Sequence, residues 1–200
     1  MDGVMYGRSG SGRLGDRRLD DLCAGVIEVL CEVGYDRLTM DTVATRTRSS
    51  KATLYRRWGS KADMVVTSLR HTPGCRFNSV DTGDLAGDLH ALFTSMDERC
   101  LSRETALLRA LSTAELSSPS VAIVAKSRLT EPIVTVLAEV LQRAVDRGEV
   151  AAGKPALGLV PDLVVGALAM GVLADVEPVT PGALAELVDV VLLPALGIPG

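Results

Sequence analysis

Arg48, Lys51, Arg56, Arg57 and Lys61 crowd around Trp58, the chain's one tryptophan, and no acid follows Arg48 until Asp63. Guanidinium groups fork onto phosphate oxygens or onto the O6/N7 edge of guanine, and ammonium groups act as point charges on phosphate. Tyr55, inside the same run, adds a hydroxyl and a flat ring. This set can hold a polyanion.

The other reactive side chains form no such set. Cys23, Cys31, Cys75 and Cys100 include no C-x-x-C pair, and with His71 and His90 as the only histidines there is no framework for a metal. Cys23 and Cys31 fall in an apolar helical pattern, where a reduced thiol behaves as a small hydrophobe. Cys75, in an expected loop, is the one to watch. Asp97–Glu98 and His90 are titratable, but no nucleophile or phosphate loop accompanies them, and a solvated helix face accounts for them. Neither an enzyme nor a bound cofactor is expected.

Charge divides along the chain. Residues 37–70 hold eight Lys or Arg and two acids, a net +6, whereas residues 71–200 hold nine and sixteen, a net −7, within a total of −4. A cationic head that meets a polyanion and a body that does not are the expected organisation. No secretory leader is visible in M-D-G-V-M-Y-G-R-S-G-S-G-R, and the apolar run Leu163 to Ala174 is about half of what a membrane span needs. The expectation is a soluble cytoplasmic protein with no membrane partner.

The elements that position the cations read as all-α, about nine helices. Residues 1–14, rich in Gly and Ser, are expected as a flexible arm. From Leu19 the apolar positions 19, 22, 23, 26, 27 and 30 give an amphipathic helix, with Asp16 to cap it and Gly34 to stop it. Thr39, Ser50 and Ser60 each open a further short helix, to about residue 70. Residues 71–83 read as a linker and 84–200 as a second domain. There Leu85–Cys100, Arg103–Leu116, Pro119–Arg147, Ala156–Ala174 and Pro181–Leu196 are helical by pattern. Ser118 and Thr180 suit caps, Gly148 a C-terminal stop, and Pro132 and Pro161 should kink or break their helices.

Two short helices behind a longer one are helix-turn-helix grammar, with the turn near Arg46–Ser49. On the third helix Leu54 and Trp58 share one side, while Ala52, Tyr55 and Arg56 share the other. The run L-T-M-D-T-V-A-T-R-T-R-S-S-K-A-T-L-Y-R-R-W-G-S-K-A-D-M-V, residues 38–65, resembles the DNA-binding signature of the TetR family of transcriptional regulators. The resemblance implies that Thr39 touches phosphate, Ser50 caps the recognition helix, and Lys51, Ala52, Thr53, Tyr55 and Arg56 lie on it. Lys61 would bind phosphate; Val43, Ala44, Leu54 and Trp58 would be core. One departure stands out: Thr47-Arg48-Ser49 replaces the family's usual A-G-V. If the turn is kept, Arg48 needs a positive φ where relatives have glycine, and it adds a charge near DNA.

The same resemblance implies a double-stranded DNA operator, a small-molecule effector and a homodimer as partners. The resemblance implies that the dimer is built from the last two helices, and the sequence agrees with that placement, because 163–174 is apolar nearly all round; Gly166, Met170, Gly171, Leu184, Leu187 and Val191 are the candidates. By family analogy Leu89, Phe93, Met96, Leu111 and Leu137 would line an effector pocket; each also suits plain core. The expected function is a ligand-responsive repressor. The alternative is a dimeric helical interaction module of the same fold that has lost DNA binding.

Overall fold

A computed structural model describes residues 10–112, 114, 118–173 and 179–198. Helix α1 spans Gly10–Arg37, α2 Met40–Arg46, α3 Lys51–Trp58 and α4 Lys61–His71. The repeat from Leu19 does its expected work: Leu22, Cys23, Val26, Ile27 and Leu30 are all buried. Residues 10–14, expected in the flexible arm, are instead helical, so Asp16 does not open α1. Once the apolar repeat has nucleated a helix, each upstream residue adds one hydrogen bond without a new nucleus. Gly34 breaks the helical path with φ 77°, and one last turn follows it.

Each of the next three helices begins on a hydroxyl. Thr39 and Thr42 form a reciprocal box, Ser50 accepts from the Thr53 N–H at 3.1 Å, and Ser60 accepts from the Asp63 N–H at 3.1 Å. Such caps satisfy backbone donors that a helix leaves orphaned, at about 1 kcal/mol each.

Beyond the connection 72–84, α5 is Leu85–Thr94 and α6 is Glu98–Leu111. The single helix expected over 85–100 is broken because the Asp97 carboxylate accepts from the N–H groups of Arg99 and Cys100, at 2.8 and 3.1 Å, and so caps a new helix. Helices α7, Pro119–Leu129, and α8, Glu131–Asp146, divide at Thr130, just ahead of Pro132. Ser118 precedes α7, but its hydroxyl does not bond a helix N–H. Gly148 takes φ 76° beyond α8.

Helix α9, Ala156–Leu173, runs on through Pro161. A proline costs an interior helix about 3 kcal/mol. Burial of Val160, Val164 and Leu168 offsets that, at about 1.5–3 kcal/mol per side chain. The last helical stretch is also not continuous: α10, Pro181–Leu187, passes through a π turn, Val188–Leu192, into α11, Leu193–Leu196. Pro194 has no N–H to give the preceding turn, a recognised cause of local widening. Thr180 caps α10 through the Ala183 N–H.

Among the described residues every regular element is helical, and none is long and apolar enough to cross a membrane. The buried side chains form two clusters. One joins α1–α4 to Leu107, Ala110 and Leu111 of α6 and to Val121 and Val124 of α7. The other joins α5, Leu101 of α6, and α8 to α11. Helix α6 therefore has one end in each.

Candidate nucleic-acid interface

Helix α3 is anchored by Leu54 and Trp58, both buried, and Val43 of α2 is buried against them. The face away from that anchor carries Ala52, Tyr55 and Arg56, all exposed, with Tyr55 at 48%, and Lys51 is exposed at the start of the helix. Thr53 is half-buried, its hydroxyl 2.8 Å from that of Ser50. Arg57 lies 5.9 Å from the centre of the Trp58 ring. Ala44 is partly buried against the same core.

The cations differ in how far they are already committed. Arg46 is held by Glu32, at 2.8 and 2.6 Å, and by Glu28 at 3.4 Å, and so ties α2 to α1. Its hydrogen bonds hold the Glu32 carboxyl below the usual range. Lys51 pairs with Asp41 at 2.8 Å, which raises its own pKa. Lys61 donates to the backbone oxygens of Tyr35, at 2.9 Å, and Asp36, at 3.4 Å, with its ammonium 4.4 Å from the Tyr35 ring centre. An ammonium has three donors, so one stays available. Arg48 and Arg56 are exposed and make no side-chain bond to other described residues.

The turn keeps its shape despite its unusual residues. Arg48 has φ 49°, the one non-glycine residue with positive φ among those described. The Ser49 N–H reaches the Ala44 oxygen at 3.0 Å, and the Thr47 hydroxyl donates to the Val43 oxygen at 2.8 Å. Helix α1 passes close by at Gly25, where an added Cβ would lie 2.6 Å from Cγ2 of Thr47. That glycine carried no signal in the apolar repeat; only the approach of two elements gives it meaning. Since an L-residue in the left-handed region costs about 1–2 kcal/mol, Arg48→Gly should stabilise the chain by about 0.5–1 kcal/mol after glycine's larger entropy loss. Thermal unfolding checks this, and a lower melting temperature would contradict it.

The expected pocket and interface residues separate. Leu89, Phe93 and Leu137 are fully buried in the second cluster, and Met96 packs partly buried against it. Leu111 does not join them; it lies in the first cluster, because α6 carries it toward α1. Leu184 is core, not surface, and Leu187 packs half-buried on that core. Gly166, Met170 and Val191 are exposed. Gly171 belongs to α9, with its surroundings outside the described residues. Leu159 and Leu163, exposed at 57% and 43%, share the face of Gly166 and Met170, a stripe at i, i+4, i+7 and i+11.

One cluster of contacts joins the two halves. Arg128 of α7, almost wholly buried, donates to the Leu69 oxygen at 2.7 Å, to the Thr72 oxygen, and to the Pro73 oxygen at 3.1 Å. It also meets the Glu104 carboxylate of α6 at 3.0 Å. The end of α4 is thereby bonded to α6 and α7. Beside it Cys75 and Cys100 form a disulfide with a Cα–Cα distance of 5.7 Å. Neither the arginine nor the pairing had a local signal in the sequence.

Comparison with known proteins agrees with this geometry. Residues 24–67 match the family described as bacterial regulatory proteins, tetR family, and residues 79–191 match the tetracyclin repressor-like C-terminal domain. A Mycobacterium tuberculosis protein described as an uncharacterized HTH-type transcriptional regulator is 35% identical over 90% of this chain and 88% of its own length. The DNA-binding transcriptional repressor TetR of Mycobacteroides abscessus is 32% identical over 68% of this chain and 72% of its own. A solved TetR family transcription regulator is 27% identical, with a TM-score of 0.52 over 88% of this chain and 96% of that one. The flavonoid-responsive regulator FrrA shares the fold at a TM-score of 0.62 and 20% identity, over 90% of this chain and 96% of that one.

Proposed function

Because this chain belongs to the TetR family of bacterial regulatory proteins and is a DNA-binding transcriptional regulator, we propose that it is a repressor, released from a pseudo-palindromic operator by a small hydrophobic effector. Its relatives are regulators, not enzymes. The observation that carries the reading is the exposed face of α3, with Ala52, Tyr55 and Arg56 opposite the buried Leu54 and Trp58 and Lys51 exposed at the helix start.

In this proposal α3 enters the major groove. Small Ala52 allows close approach, Arg56 reads a base edge, and Tyr55, Thr53 and Lys51 meet the backbone. Thr39 and Ser50 place phosphate-facing helix starts on either side, Arg48 adds a free charge at the turn, and Lys61 gives phosphate its remaining donor. The head then contacts only a few base pairs, so a homodimer on two half-sites supplies the rest of the affinity. The exposed α9 stripe is the surface proposed for it. Effector bound among the apolar side chains around Leu89, Phe93, Met96 and Leu137 would act on α4 through α6 and α7, where Arg128 holds its end.

DNA fragments selected by the purified protein from a random pool supply the probe. Arg56→Ala is expected to reduce discrimination by about 1–3 kcal/mol at one base pair. Lys61→Ala is expected to weaken binding on every sequence and to flatten the salt dependence by about one unit. Because Lys61 also closes the end of α1, its melting temperature is measured alongside. Identical profiles for the two variants reject the division of roles. Failure of the wild-type protein to shift any fragment at low salt would favour the interaction-module reading, to which the strained Arg48 gives some support.

A further inference from the structure

We propose that Cys75 and Cys100 are an oxidation site: a reversible two-electron thiol–disulfide switch that fixes the end of α4 to α6 and lowers operator affinity when closed. The inference rests on the DNA-binding reading above. Cys75 lies four residues past His71, where α4 ends, and Cys100 lies in the first turn of α6. Their bond adds a covalent tie beside the hydrogen bonds from Arg103 and Arg128 to the Pro73 oxygen, at 2.9 and 3.1 Å. A closed tie narrows the arrangements of α4 with which two heads can fit one operator. Binding that needs a rarer arrangement is weaker by its lost population.

The surroundings suit reversible chemistry. A regulator of DNA works where cellular reductants keep thiols reduced, and disulfides there are mostly transient or sensing. Both cysteines are partly accessible, and an open groove of about 390 Å³ along Thr72, Gly74 and Arg128 reaches Cys75. The reduced Cys100 would sit at a helix N-terminus, with the Arg103 guanidinium 3.7 Å from its sulfur, and both favour the thiolate. Glu104 opposes this but is held by Arg103, at 3.2 Å, and by Arg128. Cys23 and Cys31 are the contrast: burial pushes both thiols up, Cys31 to about 11, which disfavours the thiolate.

The step balances with a hydroperoxide as oxidant. The Cys100 thiolate attacks the outer oxygen of ROOH, the O–O bond breaks, and ROH leaves with one proton. The resulting sulfenic acid is attacked by the Cys75 thiol, the S–S bond forms, and water leaves. Two thiols lose two electrons and two hydrogens; the peroxide gains them. A dithiol reductant reverses the reaction by exchange. Cys75, Cys100 and Glu104 also have ligand types that a soft divalent cation accepts, but the two guanidinium groups on Glu104 oppose a cation there.

The test uses the full-length protein, reduced and then treated with cumene hydroperoxide. Alkylation and mass mapping should find two thiols lost, joined as Cys75–Cys100, with Cys23 and Cys31 still free. On a selected fragment the oxidised form should bind about tenfold more weakly, a dithiol should restore binding, and Cys75→Ser and Cys100→Ser should abolish the response. Hydrogen exchange over 69–76 should slow on oxidation, which tests the tie without DNA. Persistence of all four thiols, equal or tighter binding after oxidation, or retention of one zinc ion by the reduced pair would overturn the switch. If no DNA is bound in either redox state, the proposed function and the operator effect fall together, while thiol mapping and exchange still decide the oxidation site.

Discussion

Met170→Asp is expected to leave the chain folded, convert it from dimer to monomer, and weaken binding to a selected operator at least about hundredfold. Met170 is 54% exposed on α9, in line with Leu159, Leu163 and Gly166. Val190 and Val191, on the π turn, add further exposed apolar surface. A soluble chain rarely leaves such a stripe to water, and a second copy is the covering that the proposed two-fold operator calls for. Sealing an unpaired carboxylate in a dry contact costs several kcal/mol. Because Met170 is exposed in the single chain, the variant should keep its own core. Leu184→Asp is the contrasting control: Leu184 is fully buried, so that variant should unfold. Sedimentation at micromolar concentration, with binding measured on the same samples, decides the matter. A wild-type monomer, or a Met170→Asp dimer that still binds tightly, would refute the interface.

Asp88→Ala is expected to destabilise the chain by about 3–5 kcal/mol, a fall of roughly 6–20 °C in melting temperature for a domain of this size. The Asp88 carboxylate is fully buried. It accepts from the N–H and hydroxyl of Thr82, at 2.6 and 2.9 Å, and from Arg147 and Arg143, at 3.0 and 3.3 Å. The same two arginines reach Ser79, the Val80 oxygen, Asp81 and Glu149, so the carboxylate fastens the chain entering α5 to the end of α8. Alanine would strand the Thr82 backbone donor in a buried site and take the shared carboxylate from both guanidinium groups, whereas Asp88→Asn keeps an acceptor and should cost less. Burial pulls the Asp88 pKa up, but the Thr82 donors and the two arginines outweigh it and leave it below the usual value. Its folded pKa is thus lower than its unfolded one, about 3.9. The stabilisation is present above that value and disappears as pH falls through the folded pKa. The gap in stability between wild type and Asp88→Ala should therefore be widest near neutrality and shrink below about pH 4. A gap independent of pH would show that the charge of Asp88 does not carry the effect.

Much of the DNA-facing half was legible because its signals are local. An apolar repeat reports which side of α1 is buried, and a hydroxyl three residues ahead of an N–H reports a helix start; Thr39, Ser50 and Ser60 all cap as their positions imply. The left-handed Arg48 was legible only on condition that the turn is kept and not shifted, and its φ of 49° meets that condition. In the body the same local rules read Asp97 as solvated, which it is, but missed that it caps a new helix, because the Leu85–Cys100 pattern stays apolar across the break.

By itself, then, the sequence determined the all-helical class, the cationic face of α3 and the core that turns it outward, because periodicity, capping and charge act over a few residues. Tertiary structure alone decided where distant groups meet. It placed Leu111 with α1 instead of Phe93, sank Leu184 into the core, brought Thr47 against Gly25, and set Arg128 on the end of α4. It also joined Cys75 to Cys100 across 25 residues. Hydrophobic burial is non-directional, so an apolar residue shows that it will be covered but not by which helix. A buried arginine or a distant thiol finds its partner only when packing has fixed the distance.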